Sequence, residues 1–147
     1  MADLELVRSL VPQDSGLAVV ATTRADGSVQ ASVVNAGVLP HPVTGADVVG
    51  LVAAGGTAKL RNLRERARAS VVFRAGWNWA AVEGPVELAG PDDPLEGVDP
   101  ERLRLLLREV FIAAGGTHDD FDEYDRVMAE QRRTAVLVRP ARVTSNG

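Results

Sequence analysis

The sequence predicts a small, mainly β domain: an antiparallel closed or split β-barrel with peripheral helices. Three observations carry this. Six stretches of β-branched and apolar residues are bounded by turn residues. The first two are joined by Asp26-Gly27, a pair that readily takes the backbone angles of a tight hairpin. The helical stretches are inserted between strands rather than alternating with them, which argues against a doubly wound parallel sheet.

The elements follow in order. In residues 3–11, Leu6, Val7, Leu10 and Val11 recur at helical spacing, and Pro12 and Gly16 mark the end of that helix. Residues 17–23 and 29–38 form the first two strands. The segment from Pro40 to Gly45 turns the chain into a valine-rich third strand, residues 47–54, broken by Gly55-Gly56. A short helix over 57–67 follows, with Thr57 as its cap and Leu60, Leu63 and Ala67 as its apolar face. Residues 69–75 and 79–89 are the next strands, the latter carrying a Gly84-Pro85 break that reads as a bulge or an edge. Asp99-Pro100 opens a helix that runs to Ala114. Thr117 reads as the cap of another helix reaching about residue 132. Residues 134–138 and 142–144 form a last strand interrupted by Pro140.

At 147 residues the chain is expected to be one domain, residues 1–147, with room for a core. It contains no cysteine, which excludes disulfides, thiolate metal sites and a thiol nucleophile. Its two histidines do not suffice for a multi-histidine metal centre. A net charge of −4 disfavours a general nucleic-acid binder. No apolar run is long enough to span a bilayer, and no signal peptide is legible at the N-terminus, so a cytoplasmic location is expected.

Lys59 is the single lysine among 16 basic residues. It lies in the stretch Gly55-Gly56-Thr57-Ala58-Lys59-Leu60-Arg61-Asn62, where a strand ends, glycines bend the chain and a helix begins. Free N–H groups and the dipole at a helix start favour an anion. A cation in that first turn is unfavourable for the helix itself, which a bound phosphate would explain. The spacing is not that of a Walker loop. The competing reading is a capped surface helix with solvated charges.

Other candidates have equally plain alternatives. Trp77 and Trp79 lie on one face of an extended segment and could stack on a flat ring, or serve as core or dimer-interface residues. Gln30 and Ser32 share a strand face and need polar partners, from the backbone or from a ring's heteroatoms. The acidic run 118–125 lacks the glycine and glutamate spacing of a calcium loop and reads as an acidic helix start. Arg61, Arg64, Arg66 and Arg68 read as a solvated face. No local metal motif or Ser–His–acid motif is present, so the hard chemistry of an enzyme here would belong to a cofactor.

Taken together, the first strand, Asp26 to Ser32, Ala58-Lys59-Leu60-Arg61-Asn62-Leu63, Ala69-Ser70-Val71-Val72, Gly76-Trp77-Asn78-Trp79 with Val82-Glu83-Gly84, and Arg132-Arg133-Thr134-Ala135-Val136-Leu137 resemble, in order and spacing, the flavin/deazaflavin split-barrel family related to pyridoxamine 5′-phosphate oxidase. More narrowly they resemble its actinobacterial branch that uses the deazaflavin coenzyme F-420. The resemblance covers almost the whole chain. It implies a six-stranded antiparallel split barrel that forms a homodimer, with two cofactor sites at the interface. It implies that Lys59 and Asn62 hold the cofactor's phosphate region, with Thr57 beside them, and that Gln30 and Ser32 face the ring or ribityl region. Val52 to Ala54 would run beside the ring, and Trp77 and Trp79 would line the site, from either subunit. The implied activity is hydride transfer from reduced F-420 to a conjugated, electron-poor acceptor such as a quinone, enone or tetrapyrrole. An FMN enzyme and a non-catalytic flavin- or tetrapyrrole-binding protein are the alternatives. Many relatives carry an arginine shortly before the lysine; here Gly56, Thr57 and Ala58 stand there, so that charge must come from elsewhere or be absent.

Overall fold

The computed structural model describes residues 3–146. Its elements are α1 (Leu4–Leu10), β1 (Leu17–Thr23), β2 (Val29–Pro40), β3 (Asp47–Ala53), α2 (Ala58–Glu65), β4 (Arg68–Ala75), β5 (Asn78–Ala89), α3 (Pro100–Ala113), α4 (Phe121–Glu130), β6 (Thr134–Val138) and β7 (Arg142–Ser145). All pairings are antiparallel. The order β4-β1-β2-β3-β6-β5, closed by β4 against β5, makes a six-stranded barrel, and β7 adds to β5. The expected fold class is the one observed.

Two long strands bend across the barrel. β2 pairs with β1 through residues 29–35 and with β3 only from Ala36 onward. β5 pairs with β4 and β7 in its first part and with β6 through Val86 to Ala89. Gly84-Pro85 marks that hand-over rather than a bulge. Pro85 has no N–H to donate, and its carbonyl accepts from the Arg139 N–H at 2.9 Å. The interrupted last strand is thus two strands lying along one β5.

The interior of the barrel is filled by Val20, Val49, Leu51, Val71, Phe73, Val82 and Val136, capped by α1 and by Leu60 and Leu63 of α2. A second apolar cluster lies outside the barrel, where α3 and α4 cover β3 and β6 with Leu106, Leu107, Val110 and Tyr124. This explains why β3 and β6 do not alternate: both of their faces are buried. Gly37 lets α3 descend, because a Cβ there would stand 2.1 Å from the Ala113 carbonyl oxygen.

Several boundaries differ from expectation. The first α-helix ends at Leu10, as expected ahead of Pro12, but a 3-10 turn, Val11–Asp14, follows it directly. Thr117 caps nothing. Asp120 is the cap of α4 and accepts from the Glu123 N–H, a bond that the acidic run offers at more than one position. α2 ends at Glu65, two residues early. Thr57 occupies its N-cap position with extended backbone but makes no capping hydrogen bond.

Candidate functional site

The barrel is split where β2 and β3 part. The strands are paired up to Ala36 opposite Leu51, while residues 33–35 and 52–54 face each other unpaired. Between them lies a cleft of about 370 Å³. Val33, Val34 and Asn35 form one wall and Val52, Ala53 and Ala54 the other. Val110, Phe111 and Ala114 of α3 and Tyr124 and Met128 of α4 line it from outside the barrel. Thr57, Lys59 and Arg133 bring polar groups to it. Unpaired strand edges carry free backbone donors and acceptors, which suit a flat heterocycle with heteroatoms on its rim.

Lys59 is half-buried in the first turn of α2. Its ammonium is held below the ordinary lysine value, first by burial and second by the neighbouring Arg133 charge. Arg133 enters β6 after a reversal at Arg132, whose φ of 48° is left-handed. The Gly55 N–H donates to the Gln131 carbonyl at 3.0 Å and ties the end of β3 to the end of α4, which sets Lys59 near Arg133. The Arg133 Nε donates to Gln131 Oε1 at 2.8 Å. Among the described residues neither cation pairs with a carboxylate. By contrast, Arg64 is held by Asp93 at 2.7 Å and Arg132 by Asp92 at 2.8 Å. Two uncompensated positive charges on one cleft attract an anion.

Two buried hydroxyls point the same way. The Thr57 Oγ1 and the Ser32 Oγ have no hydrogen-bond partner among the described residues. A buried hydroxyl left unpaired is costly, and an incoming polar ligand would satisfy it. Thr57 lines the cleft; Ser32 stands one step along the β2 face that carries Val34.

Of the residues expected at a site, the structure brings Val52, Ala54, Thr57 and Lys59 together around this cleft. Gln30 and Asn62 do not line it; they are linked to each other through Thr22. The Asn62 Nδ2 donates to Thr22 Oγ1 at 3.1 Å, and the Thr22 hydroxyl donates to Gln30 Oε1 at 3.2 Å. The Asn62 amide is thus engaged in fixing α2 on β1. Trp77 and Trp79 are not brought to the cleft of their own chain. Trp77 is 93% exposed at the β4–β5 turn. Trp79 lines a separate hollow against Leu6 and Leu10 of α1. Sequence reasoning missed Arg133, Tyr124, Met128 and Phe111 as lining residues. The only signal for Arg133 was the charge missing before Lys59.

Lys59, Tyr124 and Arg133 are the titratable side chains lining the cleft among the described residues. The Tyr124 hydroxyl donates to the Leu107 carbonyl at 2.8 Å, and burial pushes its pKa up to about 12. It is poorly placed to give up a proton. No group of three or more acidic or histidine side chains suited to a metal occurs among the described residues, and no helix there is long and apolar enough to cross a membrane.

No protein-family model matches the chain, and no curated protein is recognisably similar to it in sequence. Solved structures are similar in fold. A conserved hypothetical protein of Mycobacterium tuberculosis superposes with a TM-score of 0.66 at 21% identity, over 99% of this chain and 84% of that one. A pyridoxamine 5′-phosphate oxidase-related, FMN-binding protein of Nostoc punctiforme gives 0.66 at 11% identity, over 96% and 82%. An F-420 reductase gives 0.61 at 16% identity, over 93% and 94%. At these identities the likeness is one of fold: the chain has the antiparallel split-barrel architecture of pyridoxamine 5′-phosphate oxidase-like proteins.

Proposed function

We propose that the protein is an oxidoreductase that binds coenzyme F-420 in the β2–β3 cleft and transfers a hydride from its reduced form to a conjugated, electron-poor acceptor of the quinone, enone or tetrapyrrole class. The observation that carries this is the pair Lys59 and Arg133, uncompensated at a cleft walled by unpaired strand edges. The fold likeness to an F-420 reductase and to an FMN-binding protein supports a flavin-type ligand.

The residues present fit such a group. Lys59 and Arg133 would hold its phosphate, with the unpartnered Thr57 hydroxyl as a further donor. Arg133 supplies the second charge that the stretch before Lys59 lacks. The apolar wall of Val34, Val52, Val110 and Met128 would exclude water from the ring. When bound, F-420 supplies a two-electron hydride donor, having carbon where a flavin has its reactive nitrogen. The chain's part is to orient the acceptor against that ring and keep the site dry. The Tyr124 hydroxyl, engaged by the Leu107 carbonyl, is not placed to supply the proton that must follow the hydride.

We further propose a homodimer. The outer face of β1 and β2 exposes Leu17 at 42%, Val19 at 40% and Val33 at 67%, an apolar surface that reaches the cleft at Val33. A second copy seated there could bring its own Trp77 or Trp79 to the site.

The test is turnover. Reduced F-420 mixed with the protein and a quinone should be oxidised in proportion to enzyme, and Lys59→Ala should reduce the rate. No acceptor-dependent oxidation with quinone, enone or tetrapyrrole would overturn the enzyme reading. FMN in place of F-420 is the second reading, favoured by the likeness to the FMN-binding Nostoc protein; the protein would then carry FMN and reject F-420.

A further inference from the structure

A second hollow of about 400 Å³ lies between α3, α4 and the loop at Pro91, on the far side of Met128 and Arg133 from the first cleft. Its walls are apolar: Pro100 and Leu103 from the start of α3, Leu107 further along, and Met128 and Ala129 from α4. Four charged side chains border it: Arg104, Asp125, Arg132 and Arg133.

Three of these are neutralised within the fold. Asp125 accepts from the Arg104 Nη1 at 2.8 Å and the Arg108 Nε at 2.9 Å, and Arg104 also pairs with Glu101. Arg132 is held by both oxygens of Asp92. In the first group Arg104 and Arg108 face Asp125 and Glu101, with the exposed Asp122 at 3.8 Å from Arg108, and in the second one arginine faces one carboxylate. Of the four, Arg133 alone has no ionic partner among the described residues; its Nε donates to the neutral Gln131 amide.

We propose that this groove is a second small-molecule site, and that its ligand is an amphiphilic monoanion: a carboxylate on an apolar body. The body would lie against Leu103, Leu107 and Met128, and the carboxylate would take the planar fork of Arg133, which presents two parallel donors to two oxygens. One arginine without an ionic partner matches one carboxylate. A neutral ligand would leave that charge unanswered, and a polar anion would leave the apolar walls wet. Arg133 borders both hollows, so the proposal is read on protein free of any cofactor, where no phosphate competes for that charge.

The experiment is a calorimetric titration of the full-length, cofactor-free protein with octanoate and with octanol, repeated on Ala129→Trp and Arg133→Gln. Ala129 is exposed on α4 at the groove and outside the first cleft, so a tryptophan there fills the groove without disturbing the core. Circular dichroism confirms that each variant is folded. The expected result is saturable binding of one octanoate, at least about tenfold weaker for octanol, similarly weakened in Arg133→Gln and lost in Ala129→Trp. Absence of saturable binding, equal binding of octanol, or octanoate binding unchanged in Ala129→Trp would each overturn it; the last would place the ligand in the first cleft. FMN or F-420 binding retained by Ala129→Trp keeps the two sites' fates separate.

Discussion

Lys59, in the first turn of α2, and Arg133, at the entry to β6, stand on one cleft without a carboxylate between them. They are distant in sequence and reach each other because the end of β3 is tied to the end of α4 by the Gly55–Gln131 hydrogen bond. Two like charges so placed oppose folding slightly and favour an anion that answers both.

Removing either charge should weaken phosphate-bearing ligands. A hydrogen bond to a charged group is worth about 1.5–3 kcal/mol, so Lys59→Ala and Arg133→Gln should each raise the Kd for a flavin phosphate about tenfold or more. Equilibrium titration checks this. Because both residues answer one anion, the double variant should lose less than the sum of the two.

The affinity should also depend on pH with a definite sign. The Lys59 pKa is lowered in the free protein, chiefly by burial, from the ordinary 10.5. A bound anion favours the charged form and raises that pKa, so binding takes up a proton as pH nears the free value. Affinity should therefore fall as pH rises from neutral through the depressed Lys59 value, and that fall should vanish in Lys59→Ala. Titrations at stepped alkaline pH in both proteins measure it.

Asn62→Ala should act on stability as well as on any ligand. It deletes the 3.1 Å bond to the Thr22 hydroxyl, in a residue only 2% exposed. A loss of about 1 kcal/mol is expected, seen as a lower urea midpoint with an unchanged slope. An unchanged midpoint would mean that the Thr22 hydroxyl finds water instead.

Gly37→Ala should cost more. Its Cβ would stand 2.1 Å from the Ala113 carbonyl oxygen, so α3 must shift from the barrel. Overpacking of this kind costs about 1–3 kcal/mol, measurable by chemical denaturation. Since Phe111 and Ala114 of the same segment line the cleft, ligand affinity should fall with it.

A charge on the apolar outer face should break the proposed dimer. Val19→Arg, at a position 40% exposed in the single chain, should shift the sedimentation coefficient from dimer to monomer without loss of secondary structure. A wild-type protein that sediments as a monomer would refute the dimer directly.

Much of the barrel was legible because its first strands alternate: Ala18, Val20 and Thr22 are buried while Leu17 and Val19 are exposed. Asp26-Gly27 gave the hairpin, with Gly27 at φ 86°. β3 is legible by its valine content and β6 only as the first part of a last strand interrupted by Pro140, since burial on both faces erases the alternation. The helix caps were less legible. Thr117 and Asp120 are both competent caps, and only the packing of Phe121 and Tyr124 on Phe111 decides for the second. At the cleft, Lys59, Thr57, Val52 and Ala54 could be placed because a strand end and a helix start fix them locally. Arg133 could not, being one of many arginines whose role depends on where α4 returns the chain. The two tryptophans show the opposite limit: their spacing is conspicuous, but within one chain nothing carries them to the cleft.

The central claim is that the β2–β3 cleft binds a phosphate-bearing flavin or deazaflavin through Lys59 and Arg133. The direct measurement is a paired titration of the purified protein with F-420 and FMN, repeated on Lys59→Ala and Arg133→Gln. The account predicts saturable F-420 binding, weaker FMN binding, and a clear loss in both variants. Binding of neither ligand, or binding indifferent to both substitutions, would contradict it.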